Sequence, residues 1–102
     1  MAFVHLHNHT EYSLLDGLTH VKDMVRRAAD LDMPAVAITD HGVMSGVPEL
    51  CDACTAVEKE TGKKVKPIYG CEVYFTTDEE LRKDVKPKLY HLLLLAKTNE
   101  GY

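Results

Sequence analysis

The run Ala35-Val36-Ala37-Ile38-Thr39 is apolar at nearly every consecutive position, so an extended chain there needs cover on both faces. Pro34 precedes it and Asp40-His41-Gly42 follows directly. A strand buried on both faces belongs inside a parallel sheet flanked by helices. The flanking stretches agree. Thr19 is the expected N-cap of a helix of about twelve residues, with apolar stripe Val21, Met24, Val25, Ala28 and Leu31. Asp32-Met33-Pro34 ends it. Ser45 is the expected cap of a second helix, with stripe Val47, Leu50, Cys51, Cys54 and Val57 and with Gly62 at its close. Residues 66–75 read as another strand, interrupted by Gly70, and residues 89–97 as one more. Between them, residues 76–88 form a charged excursion with room for a short helical turn. Residues 98–102 look like the start of a further helix.

The N-terminal stretch alternates. Over residues 3–9, Val4, Leu6 and Asn8 point one way and His5, His7 and His9 the other, which predicts a strand with an imidazole stripe. Residues 10–18 are a loop, with Asp16-Gly17 as its turn signal. The order is β-α-β-α-β-loop-β. It predicts an α/β fold of about four mostly parallel strands with right-handed crossovers, in one domain. Chemistry in such folds sits at the C-terminal ends of the strands.

Every expected strand brings a ligand-type side chain to that end. His7 and His9 close the first, Asp40 and His41 follow the second, Glu72 lies in the third and His91 in the fourth, with Asp16 in the first loop. An H-x-H pair on a strand aims two imidazoles into one space. Gly70 would let the backbone approach a ligand beside Glu72. Mixed imidazole and carboxylate ligands suit zinc, manganese or iron. More than four of them imply more than one ion, and two ions roughly 3.5–4 Å apart suit phosphoester hydrolysis. Some alternatives stay open. His5 lies deeper in the sheet, as a ligand or as a supporting core residue. Asp40 binds metal or orients His41. Glu72 is a ligand or a buried, paired carboxylate, and His91 alone is undecided. His20 reads as solvated, as do Lys63, Lys64 and Lys66. Cys51 and Cys54 form a C-x-x-C inside a helix rather than at its N-terminus, so both read as core residues, and Cys71 as packing.

The net charge of -4 argues against a stand-alone nucleic-acid binder. It does not exclude a nuclease, because bound divalent ions reverse the local charge. No segment reaches the roughly 18–20 apolar residues of a membrane span. The absence of a signal-peptide pattern and three cysteines without a framework predict a cytoplasmic protein with reduced thiols.

These residues resemble a known family. The segment FVHLHNHTEYSLLDG at residues 3–17 is similar to the first motif of the PHP (polymerase and histidinol phosphatase) domain. More closely, it looks like the form at the N-terminus of bacterial DNA polymerase III alpha subunits. AITDHG at 37–42, PIYGCE at 67–72, HLLLLAK at 91–97 and NEGY at 99–102 agree with it. The resemblance implies a distorted, TIM-like (βα)7 barrel, here partial, with a multinuclear metal site. It assigns His7, His9, Asp16, His41, Glu72 and His91 as metal ligands, the first five as the catalytic set, with His5 and Asp40 in support. Zinc is the first candidate, then manganese, iron or magnesium, with two or three ions in a complete domain. The implied activity is metal-dependent 3′–5′ exonuclease proofreading at DNA 3′ ends, within a parent DNA-directed DNA polymerase and its replicase partners. Two alternatives accompany it. One is a structural module that docks a proofreading subunit and uses metals for stability; the other is a small-molecule phosphatase of the histidinol-phosphate type. Because the family takes further ligands from later sequence, residues 1–102 are expected to be a single N-terminal fragment without the polymerase core. An open sheet edge at residues 92–95 would invite a second copy.

Overall fold

A computed structural model describes residues 2–82 and 86–102. Residues 83–85, within the expected excursion, lie outside the described residues. The elements are α1 (Val21–Asp30), β1 (Ala35–Ile38), α2 (Val47–Thr61), β2 (Lys66–Phe75), α3 (Asp78–Leu81) and β3 (Tyr90–Leu95).

The two long helices build the core with β1. Val21, Val25, Ala28 and Ala29 of α1 meet Val47, Leu50, Ala53, Cys54 and Val57 of α2, together with Val36, Ile38 and Val65. These side chains recur at helical spacing, and their removal from water is the main favourable term in folding. Neither helix starts as expected. His20 and Gly46 hold the N-cap positions in place of Thr19 and Ser45, and neither makes a side-chain cap bond. Pro48 in the first turn of α2 supplies a helical φ instead. Leu31, expected in the α1 stripe, is the C-cap and stands 49% exposed, so the buried face closes on Ala29. Lys63 is tied down rather than merely solvated: its Nζ donates to the Ala29 carbonyl at the end of α1 and pairs with Asp32 at 2.9 Å. Gly62 closes α2 in the left-handed conformation.

The sheet has three strands in the order β1-β2-β3. β1 is buried along its whole length and runs parallel to β2, from Ala35 opposite Lys66 to Ile38 opposite Tyr69. β3 is antiparallel to β2, from Gly70 opposite Leu95 to Phe75 opposite Tyr90. This corrects the expectation of four mostly parallel strands. A parallel return needs a crossover, usually a helix packed on the sheet. Among the described residues of this connection the one helix is α3, which buries no residue, and β3 lies antiparallel beside β2. Gly70 does not interrupt β2. Its bare Cα admits β3, since a Cβ there would lie 2.5 Å from the Leu94 carbonyl oxygen. A close approach is expected at this glycine, and in the structure the β3 backbone makes one.

The expected first strand is a second correction. Residues 3–9 follow the free edge of β1 without forming a regular ladder. Ala37 N donates to the His5 carbonyl and Thr39 N to the Asn8 carbonyl. The Ala37 carbonyl, however, is taken by the Asn8 side-chain amide at 2.9 Å, and Asn8 N goes to Thr39 Oγ1 at 2.8 Å. Side-chain partners thus replace the ladder bonds. Residues 98–102 form a single turn, in which Tyr102 N donates to the Thr98 carbonyl and Gly101 N to Thr98 Oγ1, the bonds that the expected start of a further helix would make. A barrel is not formed by the described residues, and β3 leaves Leu92 and Leu94 about half exposed at the sheet edge. Among the described residues, no helix is long and apolar enough to cross a membrane.

Candidate metal centre

Five chain segments deliver the polar residues to one place. Asn8, anchored on β1, sets His7 and His9 on either side of it. The loop that follows is closed by Gly17, where a Cβ would lie 2.2 Å from the Thr10 carbonyl oxygen. Ser13 O accepts from Asp16 N and Gly17 N, and Leu15 adopts the left-handed φ of 68°. This tight return carries the Asp16 carboxylate back to His41 Nε2, with which it is hydrogen-bonded. His41 lies just past β1 and is bridged to Glu72 in the parallel sense: Glu72 N donates to Asp40 O and Gly42 N to Glu72 O. His91 stands opposite Tyr74 on β3, one diagonal step from Glu72 on the same face.

The antiparallel direction of β3 matters here. His91 is the second residue of its strand. In a parallel strand that position would fall at the end away from the other ligands. Reversal of β3 brings it to the C-terminal ends of β1 and β2.

The result is a cavity of about 310 Å³ lined by His7, His9, Asp16, His41, Glu72 and His91. Glu72 is 5% exposed and sits at the centre. Its Oε2 lies 2.9 Å from His7 Nε2 and 2.7 Å from His9 Nε2, and its Oε1 lies 3.1 Å from His91 Nδ1. His7 Nε2 and His9 Nε2 are 3.2 Å apart, and the His9 and His41 rings stack at 4.1 Å. The hydrogen bond from His7 holds the Glu72 carboxyl below the ordinary carboxylate range. Burial opposes that shift, and the charges of His7, His41 and His9 add to it.

Three donor sets form within this cluster: His7, His9 and Glu72; His9, Asp16 and His41; His41, Glu72 and His91. In each set the ligand atoms lie within 4.8 Å of one another. His9, His41 and Glu72 each belong to two sets, which is the arrangement that lets neighbouring cations share ligands. The donor chemistry fits divalent metal ions. One observation points the same way independently. His41 Nδ1 is buried with no hydrogen-bond partner, its nearest carboxylate oxygen, Glu72 Oε2, being 3.6 Å away. A buried polar atom left unpaired is costly unless something else satisfies it.

The PHP domain family pattern matches residues 5–102. The chain belongs to the PHP domain family. Across its length it is similar to DNA polymerase III subunit alpha sequences. It is 45% identical over 101 residues to that of Helicobacter pylori, covering 99% of this chain and 8% of that protein. It is 39% identical over 105 residues to that of Treponema pallidum, covering 100% of this chain and 8% of that protein. The chain therefore spans about a twelfth of the length of these curated relatives. Among solved structures it resembles a candidate metal-dependent phosphoesterase from Bifidobacterium adolescentis. The TM-score is 0.62 and the identity 30%, over 88% of this chain and 26% of that one.

Within this PHP chain, all six residues that the resemblance assigns as ligands line the same cavity. The two supporting residues part company. The His5 ring is exposed and packs edge-on against Phe3 at 4.7 Å, and only its carbonyl takes part in holding Asn8 and Ala37. Asp40 is 1% exposed but is not hydrogen-bonded to the His41 ring. It accepts from Thr10 N at 2.6 Å, Thr10 Oγ1 at 2.7 Å and Ser13 Oγ at 2.8 Å. Thr10 and Ser13 were read only as loop residues, although both are buried. Two hydroxyls within four residues of the H-x-H pair were the available signal. His20 is exposed, as expected, and also pairs with Glu11 at 3.0 Å. Of the C-x-x-C cysteines, Cys54 is in the core as expected, but Cys51 is exposed. Its place on the helix lies one step outside the buried stripe, which takes Ala53 instead.

Proposed function

We propose that this chain is the N-terminal part of the PHP domain of a DNA polymerase III alpha subunit, and that its six-residue cavity serves phosphoester hydrolysis at DNA 3′ ends. The observation that carries the reading is the convergence of four imidazoles and the Asp16 carboxylate around the buried Glu72. His7, His9, Asp16, His41, Glu72 and His91 would hold two or three divalent ions, zinc first, with manganese, iron or magnesium as the other candidates. When bound, such ions activate water and offset the charge that builds on a phosphoryl group in displacement. The protein's own part is placement. Glu72 and the imidazoles keep the donor atoms converged before substrate arrives. The Asp16 loop forms one wall, and His91 ties the wall of β3 to the site. DNA and the other replicase subunits would be the partners, through the remainder of the polypeptide. Activity measured on a 3′-labelled single strand with added zinc or manganese tests this. Metal-dependent shortening is expected, and its loss in a His7→Ala/His9→Ala double variant. A variant that cuts as well as the parent sinks the reading.

A second reading is favoured by a different feature. The six ligands come from five separate segments, including the exposed β3, so bound ions would also cross-link the fold. Metals used for stability alone would show as a chelator-dependent drop in melting temperature, with no cleavage of DNA or of a small phosphomonoester under any metal.

A further inference from the structure

The Ser13 hydroxyl occupies a position that neither the ligand set nor the core requires. It is 1% exposed and has three polar neighbours: Asp40 Oδ1 at 2.8 Å, His41 N at 3.0 Å and His9 Nδ1 at 2.9 Å. A hydroxyl offers one hydrogen and two acceptor lone pairs. The His41 backbone N–H can only donate, so it occupies one lone pair. The Asp40 carboxylate can only accept, and it already takes Thr10 N and Thr10 Oγ1, so the Ser13 hydrogen goes to Asp40. One lone pair remains, and it faces His9 Nδ1. That nitrogen must therefore carry the hydrogen.

We propose that Ser13, held by Asp40, is a positioning residue that fixes His9 as the Nδ1–H tautomer and so presents a bare Nε2 to the cavity. A neutral imidazole has a single N–H, so assigning it to Nδ1 leaves Nε2 as an acceptor. Nε2 then faces Glu72 Oε2 at 2.7 Å and His7 Nε2 at 3.2 Å. The bare nitrogen and the Glu72 oxygen are both acceptors and repel at this distance unless a cation lies between them, and the orientation creates that demand. The same hydroxyl holds the His41 backbone, so one side chain sets the relative placement of two imidazoles whose rings stack. Partners that orient a metal-binding imidazole in this way are commonly worth tenfold to a hundredfold in affinity. The proposal rests on the metal-binding part of the function proposed above and on none of its hydrolytic part.

The test uses the full chain labelled with ¹⁵N at histidine. Long-range ¹H–¹⁵N spectra of the metal-free protein are taken at a pH where the imidazoles are neutral. His9 is expected to show a protonated Nδ1 and an unprotonated Nε2, with Nε2 shifting on zinc addition. Ser13→Ala should lose that preference and weaken zinc affinity, measured by chelator competition, by about tenfold to a hundredfold. Ser13→Thr, which keeps the hydroxyl, should retain both. A wild-type His9 protonated at Nε2 overturns the proposal, and that measurement needs no variant to fold. So does a folded Ser13→Ala protein with unchanged tautomer and affinity. Correct tautomers with no cleavage would count against the hydrolytic reading alone.

Discussion

Asp40, just past β1, and Glu72, on β2, are buried carboxylates joined by a backbone hydrogen bond, yet their surroundings differ in kind. Asp40 is saturated by one amide and two hydroxyls of its own scaffold. Glu72 is ringed by imidazole nitrogens, one of which, on His41, has no hydrogen-bond partner at all. The first carboxylate is closed to any further ligand. The second is open to a cation. Burial, which the two share, identifies neither role; the chemistry of the partners does.

The largest effect is expected at the closed site. Asp40→Ala strands Thr10 N and two hydroxyls, and should cost about 3–5 kcal/mol of stability with or without metal, read by calorimetric unfolding. Wild-type melting in that variant would break the comparison. Next comes Gly70→Ala, which forces β3 away from β2 and should cost roughly 1–3 kcal/mol. Because β3 carries His91, metal affinity should fall along with stability. Glu72→Gln acts on the open site. It should lower zinc affinity tenfold to a hundredfold, about 1.4–2.7 kcal/mol, while shifting metal-free melting far less than Asp40→Ala does. Chelator competition and calorimetry on one sample separate the two quantities.

Acid sharpens the contrast further. The hydrogen bond from His7 lowers the folded pKa of Glu72. Its contribution is therefore complete above the unfolded carboxylate value, about 4.3, and fades as pH falls through the lower folded value. Melting curves of wild type and Glu72→Gln, both metal-free, should differ near neutrality and converge only in that acid range. The smallest effect lies in the core, away from both carboxylates. Burial pushes the Cys54 thiol up to about 11, whereas Cys51 is exposed. Mild alkylation at neutral pH should label Cys51 first, with Cys54 reacting only on unfolding. The stability linked to the Cys54 thiol should decline only as the pH rises from the ordinary thiol range toward that value.

Much of the scaffold was legible because its signals are local. β2 runs over the residues expected of it, β1 differs by one residue, and the buried stripes of α1 and α2 follow helical spacing apart from Leu31 and Cys51. The helix starts were not legible, because His20 and Gly46 cap without a side-chain bond. Residues 3–9 alternate as a strand should, but the Asn8 amide competes successfully for the Ala37 carbonyl. The six ligand-type residues could be named from residue type, strand-end position and family resemblance. Thr10 and Ser13 could not, because a serine or threonine in a polar loop carries no mark of burial.

What the sequence by itself determined is the alternation of helices and strands, the family, and the kinds of donor near the strand ends. These follow from side-chain period and chemistry, which neighbouring residues set. The tertiary structure alone decided the direction of β3, which brings His91 to Glu72, and the hydroxyl relay from Asp40 through Ser13 to His9. Both depend on contacts between residues far apart in the chain, as His7 and Glu72 are at a separation of 65. Among the described residues of the connection into β3 no helix packs on the sheet, and the strand returns antiparallel. A hydroxyl with one hydrogen and two lone pairs leaves its neighbours only one consistent arrangement, and that arrangement exists only once the chain has folded around it.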